Sequence, residues 1–123
     1  MNFLFDIDGT LTPARQKIEK GFEKFFAHFI QVRKLQGDNI ILVTGSDKDK
    51  TIEQIGLPLW RMVDYCFQNC GNQIYQKGNL IRESQWQPPE GLMQSIKNVI
   101  RKSCWFGTAG TNIEQRQGMI NIS

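Results

Sequence analysis

Apolar and polar positions in the first third of the chain follow first a strand-like and then a helix-like pattern. Residues Asn2–Phe5 form a short apolar run that stops at Asp6, which indicates a buried strand. From Pro13 onward, apolar residues recur at helical spacing, which predicts one long amphipathic helix that ends before Gly37 and Asp38. The apolar face of this predicted helix consists of Ile18, Phe22, Phe25, Phe26, Phe29 and Ile30.

The next apolar run, Asn39–Thr44, is continuous and rich in β-branched residues. This pattern is typical of a parallel strand that is covered on both faces. Residues 45–47 then open a second helix that extends towards Ile55. The order strand, helix, strand, helix predicts an α/β domain in which Asn2–Phe5 and Asn39–Thr44 are neighbouring parallel strands. Ligands of such domains bind at the carboxyl ends of the strands.

Further along, the pattern predicts a third strand, a hairpin with a glycine in its turn, an amphipathic helix and a second hairpin. These elements are Val63–Phe67, Gln73–Tyr75 with Asn79–Ile81, Leu92–Ile100, and Asn112–Glu114 with Met119–Ile122. The change from a βαβ pattern to a helix with an antiparallel hairpin predicts a boundary between residues 1–84 and residues 85–123.

The composition is that of a compact domain and not of a membrane-spanning chain. The 123 residues are 40% hydrophobic and 22% charged, which is typical of one compact domain. A net charge of +3 without a run of like charges fits a small phosphorylated ligand as well as a nucleic acid. The three tryptophans are not interleaved with basic residues in a nucleic-acid-binding pattern, so we expect no nucleic-acid partner. No apolar run approaches the roughly 18 residues of a membrane span, and the first residues do not follow a signal-peptide pattern. Three cysteines form an odd set, so we expect a reducing, cytoplasmic compartment.

Candidate chemistry is concentrated where the first predicted strand ends. Asp6 and Asp8 are separated by one residue, and Gly9 allows the chain to turn so that both carboxylates face the same ligand site at the end of the strand. Asp6 then has the position of a nucleophile that accepts a phosphoryl group, and Asp8 that of a general acid and base. The charge of the phosphate calls for Mg²⁺, bound by the Asp6 side chain and the backbone carbonyl of Asp8. Alternatively, Asp8 and Gly9 form only a strand-ending turn.

A second candidate feature follows the strand Asn39–Thr44. The Thr44 hydroxyl and the backbone N–H groups of Thr44, Gly45 and Ser46 precede a predicted helix, which is a natural site for an anion. The alternative is that Ser46 or Asp47 serves only as the N-cap of that helix.

Four segments carry a resemblance to a known family. The run FDIDGTLTPAR resembles the DxDGT motif of the haloacid dehalogenase superfamily, and its extension resembles the eukaryotic-type α-phosphomannomutase family. The run ILVTGSDKDK with TIEQIG resembles that family's second motif and the following helix. The runs YCFQNCGNQIYQKGNLI and GTAGTNIEQRQGMINIS resemble its strand with hairpin and the start of its cap domain.

The resemblance implies a Rossmann-like core in residues 1–84 and the start of an α+β cap in residues 85–123. It implies Mg²⁺-dependent interconversion of mannose 6-phosphate and mannose 1-phosphate through an aspartyl phosphate. The residues carried over are Asp6 as nucleophile and Asp8 as acid and base, both at the metal, with Thr10, Thr44 and Gly45 for the phosphoryl group and Arg15 and Arg116 for the sugar phosphate. Without the motif, Arg15 is a solvated side chain on the first turn of a helix, and Arg116 is as well explained by a structural role.

The resemblance also shows departures. The family's catalytic lysine, its further acidic metal ligands and its cap arginines follow the position at which this chain stops, Ser123. Asn69-Cys70-Gly71 stands where the family has Glu-Asn-Gly. Three interpretations therefore stay open: a truncated mutase that is nearly inactive alone, a sugar-phosphate phosphatase, or a non-enzymatic remnant that acts as a binding module. The expected partners are a small phosphorylated sugar and either a second copy of the chain or a complementing C-terminal fragment.

Overall fold

The fold is that of a computed structural model, described for residues 1–103 and 113–122. The chain divides into two compact units, Met1–Glu83 and Ser84–Ser123. The first unit contains a five-stranded sheet and two helices, and the second contains one described helix and a two-stranded sheet.

The first unit has the predicted α/β architecture. Its five strands lie in chain order across the sheet; the first three are parallel, while the fourth runs antiparallel to both the third and the fifth. The predicted pairing of the first two strands is confirmed, with Phe5 opposite Leu42. The elements are β1 (Asn2–Phe5), α1 (Lys20–Leu35), β2 (Asn39–Val43), α2 (Lys48–Met62), β3 (Tyr65–Gln68), β4 (Gln73–Gln76) and β5 (Asn79–Glu83).

Both helices of this unit pack on one face of the sheet. The rings of Phe26 and Phe29 on α1 meet Phe5 edge to face, with centroids 5.1 and 5.9 Å apart. Trp60 on α2 meets Tyr75 in the same way at 5.3 Å. The strand register places the following inward residues on that face: Phe3, Phe5, Ile40, Leu42, Cys66 and Tyr75.

The opposite face of the sheet is more exposed than the sequence predicts. Leu4 is 63% exposed and Val43 is 38% exposed. The prediction of a buried first strand and of a second strand covered on both faces is therefore wrong for these residues. The physical reason is that α1 and α2 both lie on the other side of the sheet, so each of these strands alternates between the core and the uncovered face.

The first helix begins later than its apolar pattern suggests. The spacing predicts a helix from Pro13, whereas α1 starts at Lys20, because Glu19 is its N-cap and accepts hydrogen bonds from the N–H groups of Gly21 and Phe22. Ile18 is buried as predicted, but in the preceding loop. Phe25, assigned to the apolar face, is 62% exposed.

The region around α2 also differs from the sequence prediction in its bounds. The helix extends past Ile55 to Met62, with a break at Gly56, whose φ is 82° and ψ 150°. Val63 follows as its C-cap, so the third strand starts at Tyr65 and not at residue 63. The predicted hairpin β4–β5 is confirmed, and its turn residues Lys77 and Gly78 have φ values of 47° and 84°.

The second unit contains the predicted helix and hairpin. The helix α3 covers Leu92–Lys102, and the strands β6 (Ile113–Arg116) and β7 (Met119–Ile122) pair antiparallel. The predicted start of this hairpin at Asn112 lies outside the described residues, as do Cys104 and Trp105. Within the described ranges, no helix combines the length and the apolar character needed to cross a bilayer.

Candidate active site

The loop after β1 is a tight turn built around Ile7. The side chain of Ile7 is fully buried, and its carbonyl accepts the N–H groups of Thr10, Leu11 and Thr12 at 3.0–3.2 Å. Gly9 has a φ of 80°, so the predicted turn with a positive φ is present. Ile7 is thus buried between Asp6, which is exposed, and Asp8, which is half-buried.

The two carboxylates of this loop have different surroundings. Asp6 is exposed, and no hydrogen bond or ion pair reaches its carboxylate from residues 1–103 or 113–122. Asp8 is half-buried, and its Oδ1 accepts the backbone N–H of Arg15 at 2.8 Å and the Nε2 of Gln54 at 2.6 Å. The Asp6 carboxylate is thus open to a ligand, while the Asp8 carboxylate is held by the protein.

Hydrogen bonding also sets the charge state of Asp8. The Arg15 backbone N–H and then the Gln54 amide hold the pKa of the Asp8 carboxyl below its usual range, with a further contribution from the Arg15 charge. Partial burial acts in the opposite direction but is outweighed. Asp8 is therefore ionised at neutral pH and is in the form that accepts a proton.

Arg15 contributes to the site through its unusual backbone. Its φ is 59°, in the left-handed region that non-glycine residues rarely adopt, and its N–H donates to Asp8. Its side chain is exposed. Arg15 lies in the loop before α1, so its predicted placement on the first turn of a helix is wrong, whereas its exposed side chain agrees with the alternative of a solvated arginine.

Thr44 follows β2 at the same edge of the sheet as Asp6. Continuing the register of Phe5 with Leu42 places the Cα atoms of Asp6 and Thr44 roughly 6 Å apart by strand geometry. Thr44 is 4% exposed, and its Oγ1 accepts the N–H of Ser46 at 3.0 Å. The hydroxyl can still donate its proton to a bound anion. The N–H groups of Thr44 and Ser46, which were predicted to bind an anion, already donate to the Phe67 carbonyl and to Thr44 Oγ1.

The loops after β2 and β3 are joined to each other at this edge. The carbonyl of Thr44 accepts the N–H of Cys70 at 3.2 Å, and the carbonyl of Ser46 accepts the N–H of Asn69 at 3.0 Å. Asn69, Cys70 and Gly71 all have positive φ values, of 48°, 56° and 85°. The segment that departs from the family's Glu-Asn-Gly therefore still forms an ordered turn beside Thr44.

The remaining predicted residues lie around this edge or in the second unit. Thr10 is exposed, and its N–H closes the turn on Ile7. Gly45 is exposed between Thr44 and Ser46. Asp47 is the N-cap of α2 and accepts the N–H of Lys50, as the alternative interpretation of this segment had it. Arg116 belongs to the second unit, where its Nη2 lies 2.6 Å from Oε2 of Glu114.

Gln54 was missed by the sequence interpretation, which placed it only within a helix. It is 7% exposed and is the side-chain partner of Asp8. A signal was present in the sequence: Pro58 lies four residues after Gln54 and cannot donate the helical hydrogen bond to its carbonyl. This arrangement leaves the Gln54 carbonyl available for a partner outside the helix.

The described residues can supply part of a magnesium site. Mg²⁺ prefers oxygen ligands, and the exposed Asp6 carboxylate and the Asp8 backbone carbonyl are both of this kind. Among the residues that the structure describes, no group of three or more His, Cys, Asp or Glu side chains could hold a metal ion. The donor set therefore fits Mg²⁺ in kind, and waters or further ligands must complete its coordination.

The sequence matches a family of known proteins. A family model described as eukaryotic phosphomannomutase matches residues 26–123. The chain belongs to the eukaryotic phosphomannomutase family. The model match begins after the Asp6 loop, but relatives in this family align with nearly the whole chain, including that loop. Phosphomannomutase 1 of Mus musculus is 36% identical over 129 residues, which cover 98% of this chain and 47% of the relative.

A second phosphomannomutase agrees with this assignment, and a solved structure has the same fold. Phosphomannomutase of Galdieria sulphuraria is 36% identical over 98% of this chain and 48% of its own length. The chain thus spans about half the length of the curated phosphomannomutases it matches. A sugar phosphatase of haloacid dehalogenase subclass IIB has the same fold, with a TM-score of 0.61, 18% identity, and coverage of 97% of this chain and 42% of that one.

Proposed function

We propose that this chain carries the phosphoryl-accepting part of a phosphomannomutase site, with Asp6 as nucleophile and Asp8 as general acid and base. The observation that carries the proposal is the contrast between the two carboxylates. Asp6 is exposed and has no hydrogen-bond partner among the described residues, so its carboxylate is accessible to a phosphoryl group. Asp8 is held at Oδ1 by two N–H donors, which leaves Oδ2 for proton transfer.

The proposed reaction moves a phosphoryl group between two hydroxyls of mannose. Phosphorylated Asp6 gives its phosphoryl group to the second hydroxyl of a mannose monophosphate, while Asp8 takes the proton of that hydroxyl. The Asp6–phosphorus bond breaks as the new oxygen–phosphorus bond forms, so the product is a mannose bisphosphate. In the return step, Asp6 attacks the other phosphoryl group, and Asp8 returns the proton to the leaving oxygen. A sugar bisphosphate supplies the first phosphoryl group.

The other predicted residues have supporting roles in this proposal. The Thr44 hydroxyl, together with Thr10 and Gly45, binds the phosphoryl oxygens at the carboxyl edge of the sheet. Arg15 binds the negatively charged sugar phosphate. Arg116 is a second candidate for a sugar phosphate, and its pairing with Glu114 is as well explained by a structural role. Mg²⁺, held by the Asp6 carboxylate and the Asp8 carbonyl, would neutralise charge between nucleophile and phosphate when bound. The odd cysteine count supports action in a reducing, cytoplasmic compartment.

A further protein segment covers the exposed face of the sheet in this proposal. The uncovered face of the sheet presents Leu4 and Val43, and β1 has a strand neighbour on one side only within the first unit. Parallel sheets are ordinarily covered on both faces. We therefore expect the face to bind a segment equivalent to the part of the phosphomannomutases that this chain does not span. A dimer of the chain is the competing outcome, which size-exclusion chromatography with and without that segment distinguishes.

The test compares Asp6→Asn, Asp8→Asn and, as a matched control, Asp49→Asn, which changes an exposed carboxylate in the first turn of α2. Each chain is incubated with Mg²⁺ and either a hexose bisphosphate or acetyl phosphate, and phosphorylation is measured by intact-protein mass spectrometry. Asp6→Asn is expected to abolish phosphorylation. Asp8→Asn is expected to retain slow phosphorylation, because loss of acid and base catalysis costs about 10²–10⁴-fold in rate. The control is expected to match the wild type.

Turnover then separates the remaining interpretations. Interconversion of the two mannose phosphates by the chain with a complementing segment supports the mutase. Release of inorganic phosphate without interconversion identifies a phosphatase. Equal phosphorylation of the wild type and Asp6→Asn rules out Asp6 as the nucleophile. Absence of phosphorylation from the wild type with the complementing segment present favours a binding module.

A further inference from the structure

Gln54 holds the loop that follows β1 at two separate points. Its Nε2 donates to Oδ1 of Asp8 at 2.6 Å, and its backbone carbonyl accepts the N–H of Ile18 at 2.8 Å. The first contact lies at the start of the loop and the second lies just before α1. One residue of α2 thus fixes both ends of the segment that connects Asp8 to the first helix.

The break in α2 explains why Gln54 can make the second contact. In a continuous helix, its carbonyl would accept the N–H of residue 58, but that residue is Pro58 and has no N–H. Gly56, with a φ of 82°, interrupts the helix between them. The Gln54 carbonyl therefore accepts the Ile18 N–H in place of a helical donor.

The side-chain amide of Gln54 is hydrogen-bonded to Asp8 at its nitrogen but has no partner among the described residues at its oxygen. It is 7% exposed, and its Oε1 is buried with no hydrogen-bond partner in the described ranges. A buried amide that satisfies only its donor contributes less to stability than one with both ends paired. The residue thus retains a polar group whose main contact is the Asp8 carboxylate.

We propose that Gln54 is a positioning residue that locks the Asp8 carboxylate through Oδ1, so that Oδ2 is the oxygen that exchanges a proton with the sugar hydroxyl. The assignment of proton transfer rests on the function proposed above. The clamp itself, Gln54 with Asp8 and Ile18, is a property of the loop and can be measured without catalysis.

The main experiment uses Gln54→Met in the full chain, because methionine keeps the length of the side chain but cannot donate to Asp8. Gln31→Met, at an exposed glutamine of α1, is the matched control. Amide hydrogen exchange is followed by NMR at Gly9 and Thr12, whose N–H groups are bonded within the loop. Losing a hydrogen bond to a charged group is expected to make exchange there about 10- to 100-fold faster in Gln54→Met and to leave the control unchanged.

A second variant guards against a general loss of stability. Asp8→Ala removes the acceptor from the other side, so it should accelerate the same amides, and the double variant should add little to either single change. Exchange at the sheet residues Ile40 and Leu42 reports on the whole unit and is expected to stay slow. Acceleration of loop and sheet amides alike, or additive effects in the double variant, would overturn the clamp.

The catalytic part is read from steady-state kinetics of the chain with its complementing segment. Gln54→Met is expected to lower kcat by about 10²-fold with little change in KM, because substrate contacts remain while Asp8 is misplaced. If the wild type is active and Gln54→Met has the same kcat, the positioning role is overturned. An inactive wild type contradicts the proposed function instead, and the exchange measurements at Gly9 and Thr12 then still decide whether Gln54 clamps the loop.

Discussion

Replacing Ile7 by alanine tests whether the buried side chain between the two candidate catalytic carboxylates stabilises the domain. Ile7 is fully buried in the main core of the first unit. Removing three side-chain carbons costs about 2.4 kcal/mol in transfer free energy at roughly 0.8 kcal/mol each. The cavity left behind adds to this, so we expect the free energy of unfolding to fall by about 3–4 kcal/mol.

The assay is urea unfolding followed by circular dichroism, with the dependence on urea concentration expected to keep its slope. Ile81→Ala is the matched control, because Ile81 on β5 is 53% exposed and its loss should cost less than about 0.5 kcal/mol. The three N–H groups bonded to the Ile7 carbonyl do not depend on its side chain. A cost below about 1 kcal/mol for Ile7→Ala would refute the packing argument.

The remaining predictions concern the thiol of Cys66 and the turn at Lys77. Burial raises the pKa of Cys66 from 9.0 to about 12, so the folded state holds the thiol proton more tightly than the unfolded state does. Stability should therefore fall by about 1.4 kcal/mol per pH unit between pH 9 and 12, and Cys66→Ala should reduce that slope in urea titrations. Lys77→Asn should raise the thermal midpoint and stabilise by about 0.5–1 kcal/mol, because Lys77 has a φ of 47° that asparagine tolerates better; a lower midpoint would contradict this.

Sequence patterns predicted the elements of this fold because each element carries a local signal. The apolar run at β2 was sufficient to predict a parallel strand, and the turn around Gly78 was sufficient to predict a hairpin. Neither prediction needed information from the rest of the chain. The start of α1 was predicted wrongly because Ile18 has the helical spacing of Phe22 and Phe26. Its N–H is bonded to Gln54, which is 36 positions away in sequence, and no local pattern contains that contact.

The candidate site shows the same division between local motif and tertiary contact. Asp6 and Asp8 could be selected from the sequence because two carboxylates and a glycine follow a short apolar run. Pro58 marks the Gln54 carbonyl as available, but the contact of the Gln54 side chain with Asp8 could not be predicted, because it depends on the approach of Asp8 across the fold. The exposure of one face of the sheet could not be predicted from the sequence either, because the positions of α1 and α2 decide which face is packed.

Acidic residues at the amino ends of the strands are neutralised by neighbouring cations. Asp38 precedes β2, and its Oδ2 lies 2.7 Å from Nη2 of Arg33. Asp64 precedes β3, and its Oδ1 lies 3.0 Å from Nζ of Lys34. The other oxygen of Asp64 accepts the N–H of Ile40 at 2.9 Å. These acids therefore anchor the sheet and carry little uncompensated charge.

At the carboxyl ends of the strands, in contrast, the acidic residues Asp6 and Asp8 are not paired with a cation among the described residues. No ion pair within the described ranges reaches the carboxylates of Asp6 or Asp8. Two unit charges of the same sign 4 Å apart repel by about 4 kcal/mol at the effective dielectric constant of a protein surface, so a phosphoryl group cannot approach Asp6 closely without a compensating cation. The Arg15 side chain is exposed at this loop and can supply one positive charge. In the proposed function, the dianionic charge of a phosphate monoester exceeds this single positive charge, which is the electrostatic reason why the proposal includes Mg²⁺ at Asp6.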